Sequence, residues 1–131
     1  MPQVVVDTSA VIAVLLNEPE KDRLVELTVG ADLVAPQSFH WEVGNAFSAM
    51  FKRGRLGVKE AVKAMQEYRK IPIQLVDVDI VAALRLAEKK KLYAYDAYFV
   101  LCAETCKAPL LTLDGPLANA AVESEVTVLE V

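Results

Sequence analysis

Histidine is almost missing from this chain. His40 is the only one, and the two cysteines, Cys102 and Cys106, sit four residues apart and far from it. No familiar zinc pattern can be assembled from that set, because zinc sites draw several Cys and His ligands together at short spacings. The scarcity also weakens any mechanism that needs a histidine base or a histidine pair. Acid–base chemistry must then fall mainly to carboxylates or to a bound metal. The cysteines read first as small core residues, with a disulfide between them as the other reading.

No apolar run approaches the length of a membrane span, and residues 2–6 are too short and too uncharged for a secretory signal. The cytoplasm is therefore the expected compartment, and no membrane partner is expected. The first strand-to-helix turn, Asp7-Thr8-Ser9-Ala10, has none of the glycines that cradle a pyrophosphate, which argues against a nucleotide-binding domain. A receiver-like phosphotransfer pocket would want paired acids before the first helix, and here the first strand supplies only Asp7. Repeats, low-complexity tracts and linkers are lacking too, so residues 1–131 are expected to form a single domain.

Apolar residues are plentiful. At 54% hydrophobic and 24% charged, the chain can bury a substantial core and lacks the composition of a disordered segment. The formal net charge of −4 argues against a dedicated nucleic-acid binder. Basic residues are nevertheless clustered: Lys52, Arg53, Arg55, Lys59, Lys63, Arg69 and Lys70 stand against only Glu60 and Glu67, and Lys89, Lys90 and Lys91 form a second group. Each cluster reads as a solvated helix face or end, or as local basic surface beside an acidic centre that handles phosphodiesters.

The pattern of elements points to an α/β fold. Val4-Val5-Val6 reads as a strand buried on both faces, with Asp7 at its carboxyl end and Thr8 and Ser9 as caps for a helix over 11–16. Asn17-Glu18-Pro19 is a break. A helix over 20–29 is closed by Gly30, and a short strand at 33–35 is ended by Pro36. The longest helical pattern, 37–53, carries Phe39, Val43, Phe47 and Met50 on one arc and is closed by Gly54. A hairpin leads to a helix over 58–70, then a strand at 73–76. Asp77 or Asp79 caps a helix to about 91, with Val81, Leu84 and Ala87 or Glu88 along it. Tyr93-Ala94-Tyr95-Asp96 opens a helix over 97–107, followed by a strand at 110–113, a short helix through Ala121 and a closing strand at 126–129. Alternating strands and helices predict a three-layer α/β/α sandwich around a short, mostly parallel central sheet.

Four acids recur at comparable places. Asp7 and Asp114 each end a hydrophobic strand, and Glu42 and Asp96 each lie near the start of a helix at the margin of its apolar arc. In parallel α/β sheets, strand ends and the following helix starts share the carboxyl edge, so all four acids are expected to converge there. Each has a plainer reading: a capping or turn aspartate, or a surface acid favoured by the helix dipole. Together, such acids repel one another, and a hard divalent cation resolves the repulsion without Cys or His. Such a site activates water and stabilises charge on a phosphodiester. Thr112 could orient a ligand or water, and Asn45, one turn after Glu42, could be a supporting partner; their plain readings are a strand threonine and a solvent-facing amide.

With those residues placed, the chain resembles the PIN-domain nucleases. The resemblance rests on Val-Val-Val-Asp7-Thr-Ser-Ala, Glu42 in a helix after Ala-Pro, Tyr95-Asp96-Ala97 and Leu111-Thr112-Leu113-Asp114, in order over essentially the whole chain. Length, the Asn17-Glu18-Pro19 break and the Lys52-Arg53-Gly54-Arg55-Leu56 hairpin look more like the VapC-type toxins of toxin–antitoxin pairs than the larger eukaryotic members. The resemblance implies a PIN-like fold and Mg²⁺- or Mn²⁺-dependent endoribonuclease activity. It maps the metal-binding acids onto Asp7, Glu42, Asp96 and Asp114, with Thr112 as the accompanying catalytic hydroxyl. It further implies an RNA substrate, a homodimer and a small antitoxin partner that blocks the site. Leu113 stands where many relatives carry a polar or basic residue, a departure that bears on substrate contacts. The alternative is a catalytically silent PIN-like module that binds RNA or protein.

Overall fold

In the computed structural model, which describes residues 2–131, four parallel strands lie in the order β3-β2-β1-β4. They are β1 (Gln3–Val6), β2 (Asp32–Pro36), β3 (Ile73–Val76) and β4 (Leu110–Leu111). The register sets Val5 beside both Val34 and Leu110, and Val6 beside Leu111. Partners in register point to the same side, so Val4, Val6, Leu33 and Leu111 share one face and Val5, Val34 and Leu110 the other. Val4, Val5 and Val6 are all buried, as a strand covered on both faces requires. Full burial of side chains such as Val5 and Val34 stabilises the fold by about 2 kcal/mol each.

The described residues form seven helices: α1 (Thr8–Leu15), α2 (Lys21–Thr28), α3 (Phe39–Lys52), α4 (Val58–Tyr68), α5 (Ile80–Lys90), α6 (Ala94–Cys106) and α7 (Gly115–Glu123). α6 lies on β1 and β2 and packs against α5 and α7, while α1 packs against α2, α3 and α4. Val6, Leu33 and Leu111 meet Val11, Val14 and Leu24 of α1 and α2 beneath a small apolar cavity. The result is the three-layer α/β/α arrangement. Phe39 anchors the middle of the core, with ring centroids 6.1 Å from Tyr68 and 6.0 Å from Phe99, joining α3, α4 and α6.

Several boundaries differ from expectation, each for a physical reason. α1 starts at Thr8, and Asp7 itself is the cap, accepting from Ala10 N, so Thr8 and Ser9 lie inside the helix. β4 ends at Leu111, because the chain then turns so that Thr112 reaches Asp7. The closing strand at 126–129 reduces to a single bridge, Val128 to Leu110, since β4 is too short to support more. α5 begins after Asp79 and turns Ala83 inward, leaving Val81 and Leu84 more than half exposed. There a small residue wins the inner face because α5 packs closely on α6.

Candidate active site

Parallel strands deliver their carboxyl ends, and the helix starts that follow them, to one edge of the sheet. At that edge an open cleft of about 530 Å³ is lined by Asp7, Glu42, Asp96 and Asp114. The pairing of β1 with β4 brings Asp7 and Asp114 to neighbouring strand ends. α3 and α6 contribute Glu42 and Asp96 from their first turns.

Asp7 is only 3% exposed, and a buried carboxylate needs donors. It receives Thr112 Oγ1 at 2.5 Å on Oδ2, Ala10 N at 3.0 Å on Oδ1, and Ser9 Oγ at 2.8 and 2.9 Å from its two oxygens. The same hydroxyls tie down the β4 end: Leu113 N donates to Ser9 Oγ and Asp114 N to Thr112 Oγ1, both at 2.9 Å. Asp114 caps α7 by accepting from Leu117 N at 3.3 Å. Glu42 accepts from Ser38 Oγ at 2.5 Å.

The site's electrostatics are those of crowded acids. Burial pushes the Asp7 carboxyl above its ordinary range despite the bonds from Thr112, Ala10 and Ser9, and Asp114 adds repulsion. Burial likewise raises Glu42 to about 7, opposed by Ser38 and assisted by Asp96 and Asp7. Asp96 is raised by burial and by Asp114. Among the described residues, no Lys or Arg forms an ion pair with any of the four.

A hard divalent ion suits this donor set: oxygen ligands, unneutralised negative charge, and a buried Thr8 Oγ1 on the cleft wall with no hydrogen-bond partner among the described residues. Among the described residues no three of the acids form a closed chelating group. Ser38 and the α7 start hold Glu42 and Asp114.

Other expectations fare differently. Asn45 is exposed and does not line the cleft; Ala46, a full turn from Glu42, does. Ser38 takes the supporting place instead. Thr112 donates to Asp7 and accepts from Asp114 N, so its hydroxyl ties two of the acids together. His40 lies outside the cleft, with Nδ1 2.6 Å from Tyr68 Oη. Cys102 and Cys106 are free thiols, and burial with the Cys106 neighbour pushes Cys102 up to about 12. The sequence does not single out every polar residue of the cleft: Ser9 reads only as a cap, Glu18 as part of a break, Glu20 as a helix start and Arg55 as part of a basic cluster, yet all line it. The signal for Ser9 was its position two residues after a capping acid, where its hydroxyl turns back on that acid.

Comparison with known proteins agrees with this geometry. The PIN domain family model matches residues 4–123. Ribonuclease VapC3 of Mycobacterium tuberculosis is 32% identical over 119 residues, spanning 90% of this chain and 87% of the relative. VapC ribonuclease Mb0985 of Mycobacterium bovis is 28% identical over 116 residues, spanning 88% and 89%. Among solved structures, PAE2754 from Pyrobaculum aerophilum superposes with a TM-score of 0.70 at 22% identity, covering 91% of this chain and 79% of that one. Mycobacterium tuberculosis VapC20, a sarcin-ricin loop cleaving toxin, superposes at 0.64 with 15% identity, covering 89% and 94%. These two likenesses bear on the fold. With the family model spanning nearly the whole chain and a curated relative above 30% identity, the chain belongs to the PIN-domain family, among its VapC ribonucleases.

Proposed function

We propose that this chain is a Mg²⁺- or Mn²⁺-dependent endoribonuclease, the toxin of a type II toxin–antitoxin pair, with Asp7, Glu42, Asp96 and Asp114 holding the ion. The observation that carries the reading is the cleft itself: four carboxylates from four different elements, without a cationic partner among the described residues, at the carboxyl edge of a parallel sheet. When bound, the ion supplies positive charge for the phosphodiester and lowers the pKa of an attacking water. The chain's own residues prepare that chemistry. Thr112 and Ser9 fix both oxygens of Asp7, so the ligand does not reorganise when the ion arrives. Glu42, raised to about 7 by burial, carries a proton at mildly acidic pH and would have to lose it to hold the ion.

The proposal extends to a single domain over residues 1–131, to a small antitoxin covering the acidic cleft, and to a cytoplasmic homodimer. No helix among the described residues is long and apolar enough to cross a membrane. A dimer is supported by Ile80 (59% exposed), Val81 (59%) and Leu84 (54%), a contiguous apolar stripe on α5. α5 begins beside Asp77 and Asp79 and ends in Lys89, Lys90 and Lys91. Two copies packed antiparallel would oppose acidic starts to basic ends along a two-fold axis.

The test is cleavage of a mixed structured RNA with Mg²⁺, with Mn²⁺ or with EDTA, by protein freed of any co-expressed partner. Wild type should cut only with metal, and Asp7→Asn and Asp96→Asn should lose cutting while staying folded. Cutting that survives both substitutions or EDTA would sink the carboxylate site. Tight metal-independent binding of RNA or protein without cutting would establish the silent module instead.

A further inference from the structure

Of the seven basic residues clustered between Lys52 and Lys70, only Arg55 lines the acidic cleft. Its position follows from how α3 stops. Gly54 takes the left-handed conformation at φ +67, Arg55 N donates to Met50 O and Gly54 N to Phe51 O, both at 3.0 Å. This is the paired-bond ending in which the second residue past the helix folds back over its last turn. Arg55 is thereby set beside Met50, on the cleft side, by backbone bonds alone. Its guanidinium forms no hydrogen bond or ion pair among the described residues, although acids share the cleft.

The wall between Arg55 and the acids is a single stripe of α3: Glu42, Ala46 and Met50, four residues apart, all line the cleft. At 1.5 Å per residue, Glu42 to Met50 spans about 12 Å, and the fold-back bond sets Arg55 at the Met50 end of that stripe. That separation exceeds what one phosphate bridges. It suits a strand whose scissile phosphate is at the acids and whose neighbouring phosphate, one or two nucleotides on, meets the guanidinium. Ala46 and Met50 offer an apolar floor to the nucleoside between. A planar fork of donors is the side chain best matched to a phosphate, and the one Lys or Arg among the described residues that lines this acidic cleft also pulls the strand into one direction.

Resting on the ribonuclease reading above, we propose that Arg55 is the substrate-positioning residue of this cleft: it binds a phosphate on one side of the cut and sets the strand's register against the four acids. The inference narrows RNA contact from the whole basic hairpin to one residue inside the cleft.

The test uses full-length protein carrying Asp96→Asn, in EDTA, and a short fluorescein-labelled single-stranded RNA of mixed sequence. Binding is read by anisotropy across a salt series for that background alone and with Arg55→Gln, Arg55→Lys or Lys63→Gln added. Lys63 is exposed on the same hairpin but does not line the cleft, so it controls for net charge. Arg55→Gln should weaken binding roughly tenfold and make the slope of log affinity on log salt shallower by about 0.7, the contribution of one phosphate contact on a single strand. Arg55→Lys should restore the slope and part of the affinity, and Lys63→Gln should change both much less. In otherwise wild-type enzyme with metal, Arg55→Gln should raise KM more than it lowers kcat. Equal losses for Arg55→Gln and Lys63→Gln would reduce the effect to general electrostatics and overturn the assignment, as would unchanged binding by Arg55→Gln in an enzyme whose wild type cuts RNA. A wild type that neither binds nor cuts RNA would fail the underlying reading and this one with it.

Discussion

At the residue scale, the centre of the site is a buried acid held by two hydroxyls. Thr112 and Ser9 cross-link the ends of β1 and β4 through Asp7, so they serve the fold and the site together. Thr112→Val keeps the shape but removes the donor to Asp7 and the acceptor for Asp114 N. We expect about 1–3 kcal/mol of lost stability in urea unfolding. Metal-dependent cutting should also fall about 10–100-fold under single-turnover conditions. Full activity in that variant would show that the hydroxyl does not position Asp7. Glu42 makes a pH prediction with an unusual sign. Its folded value near 7 lies above the ordinary 4.5, so between these values the native protein binds more protons than the unfolded chain. Stability from this group therefore falls as pH rises through that window, the reverse of a salt-bridged carboxylate. In EDTA, Glu42→Gln should be more stable than wild type at pH 8, by on the order of 1–2 kcal/mol after allowing for solvent screening. The advantage should vanish about one pH unit below the ordinary value of 4.5, where Glu42 is protonated in the native and the unfolded chain alike. Chemical denaturation at the two pH values checks it, and a pH-independent difference would refute the assignment.

At the element scale, the site depends on where helices begin and end. α1 and α7 begin at acids that cap them, and α3 and α6 carry theirs in the first turn, where the helix dipole favours negative charge. The end of α3 matters as much. Gly54 occupies a conformation that side chains resist, although a methyl group there would meet no atom within 4 Å. Gly54→Ala should therefore cost only about 1 kcal/mol, and it does so through backbone strain. The functional effect should be larger than that cost suggests, because the turn places Arg55: KM for RNA should rise while metal affinity, read by calorimetry, stays constant. A variant with unchanged KM would show that Arg55 is not held by this turn.

For the whole molecule, the exposed stripe on α5 is an apolar face that the isolated chain leaves uncovered. Leu84 is already exposed in the monomer, so Leu84→Glu should leave the far-ultraviolet circular dichroism and the melting curve of the monomer intact. Light scattering should then show wild type as a dimer and the variant at half its mass. A dimer that survives the substitution would place the interface elsewhere.

Most of the architecture was legible before any coordinates. β1 and β3 are runs of β-branched and aliphatic residues between breakers, and α3 carries a strong 3.6-residue apolar period, so local pattern and tertiary outcome agree. The four acids were legible because parallel topology sends strand ends and helix starts to a common edge. What local pattern could not decide was anything set by a partner distant in sequence. β4 stops at Leu111 because Thr112 turns to meet Asp7, more than a hundred residues away, and 126–129 does not become a strand because β4 leaves it a single bridge. Val81 and Leu84 stay exposed because close packing of α5 on α6 turns Ala83 inward. Ser9 and Arg55 join the cleft, and Ser38 holds Glu42, through hydrogen bonds and a helix ending whose consequences exist only once the elements have packed. Residue type and spacing determined the fold class and the acids that meet; the packed structure alone decided which hydroxyls hold those acids and which cation faces them.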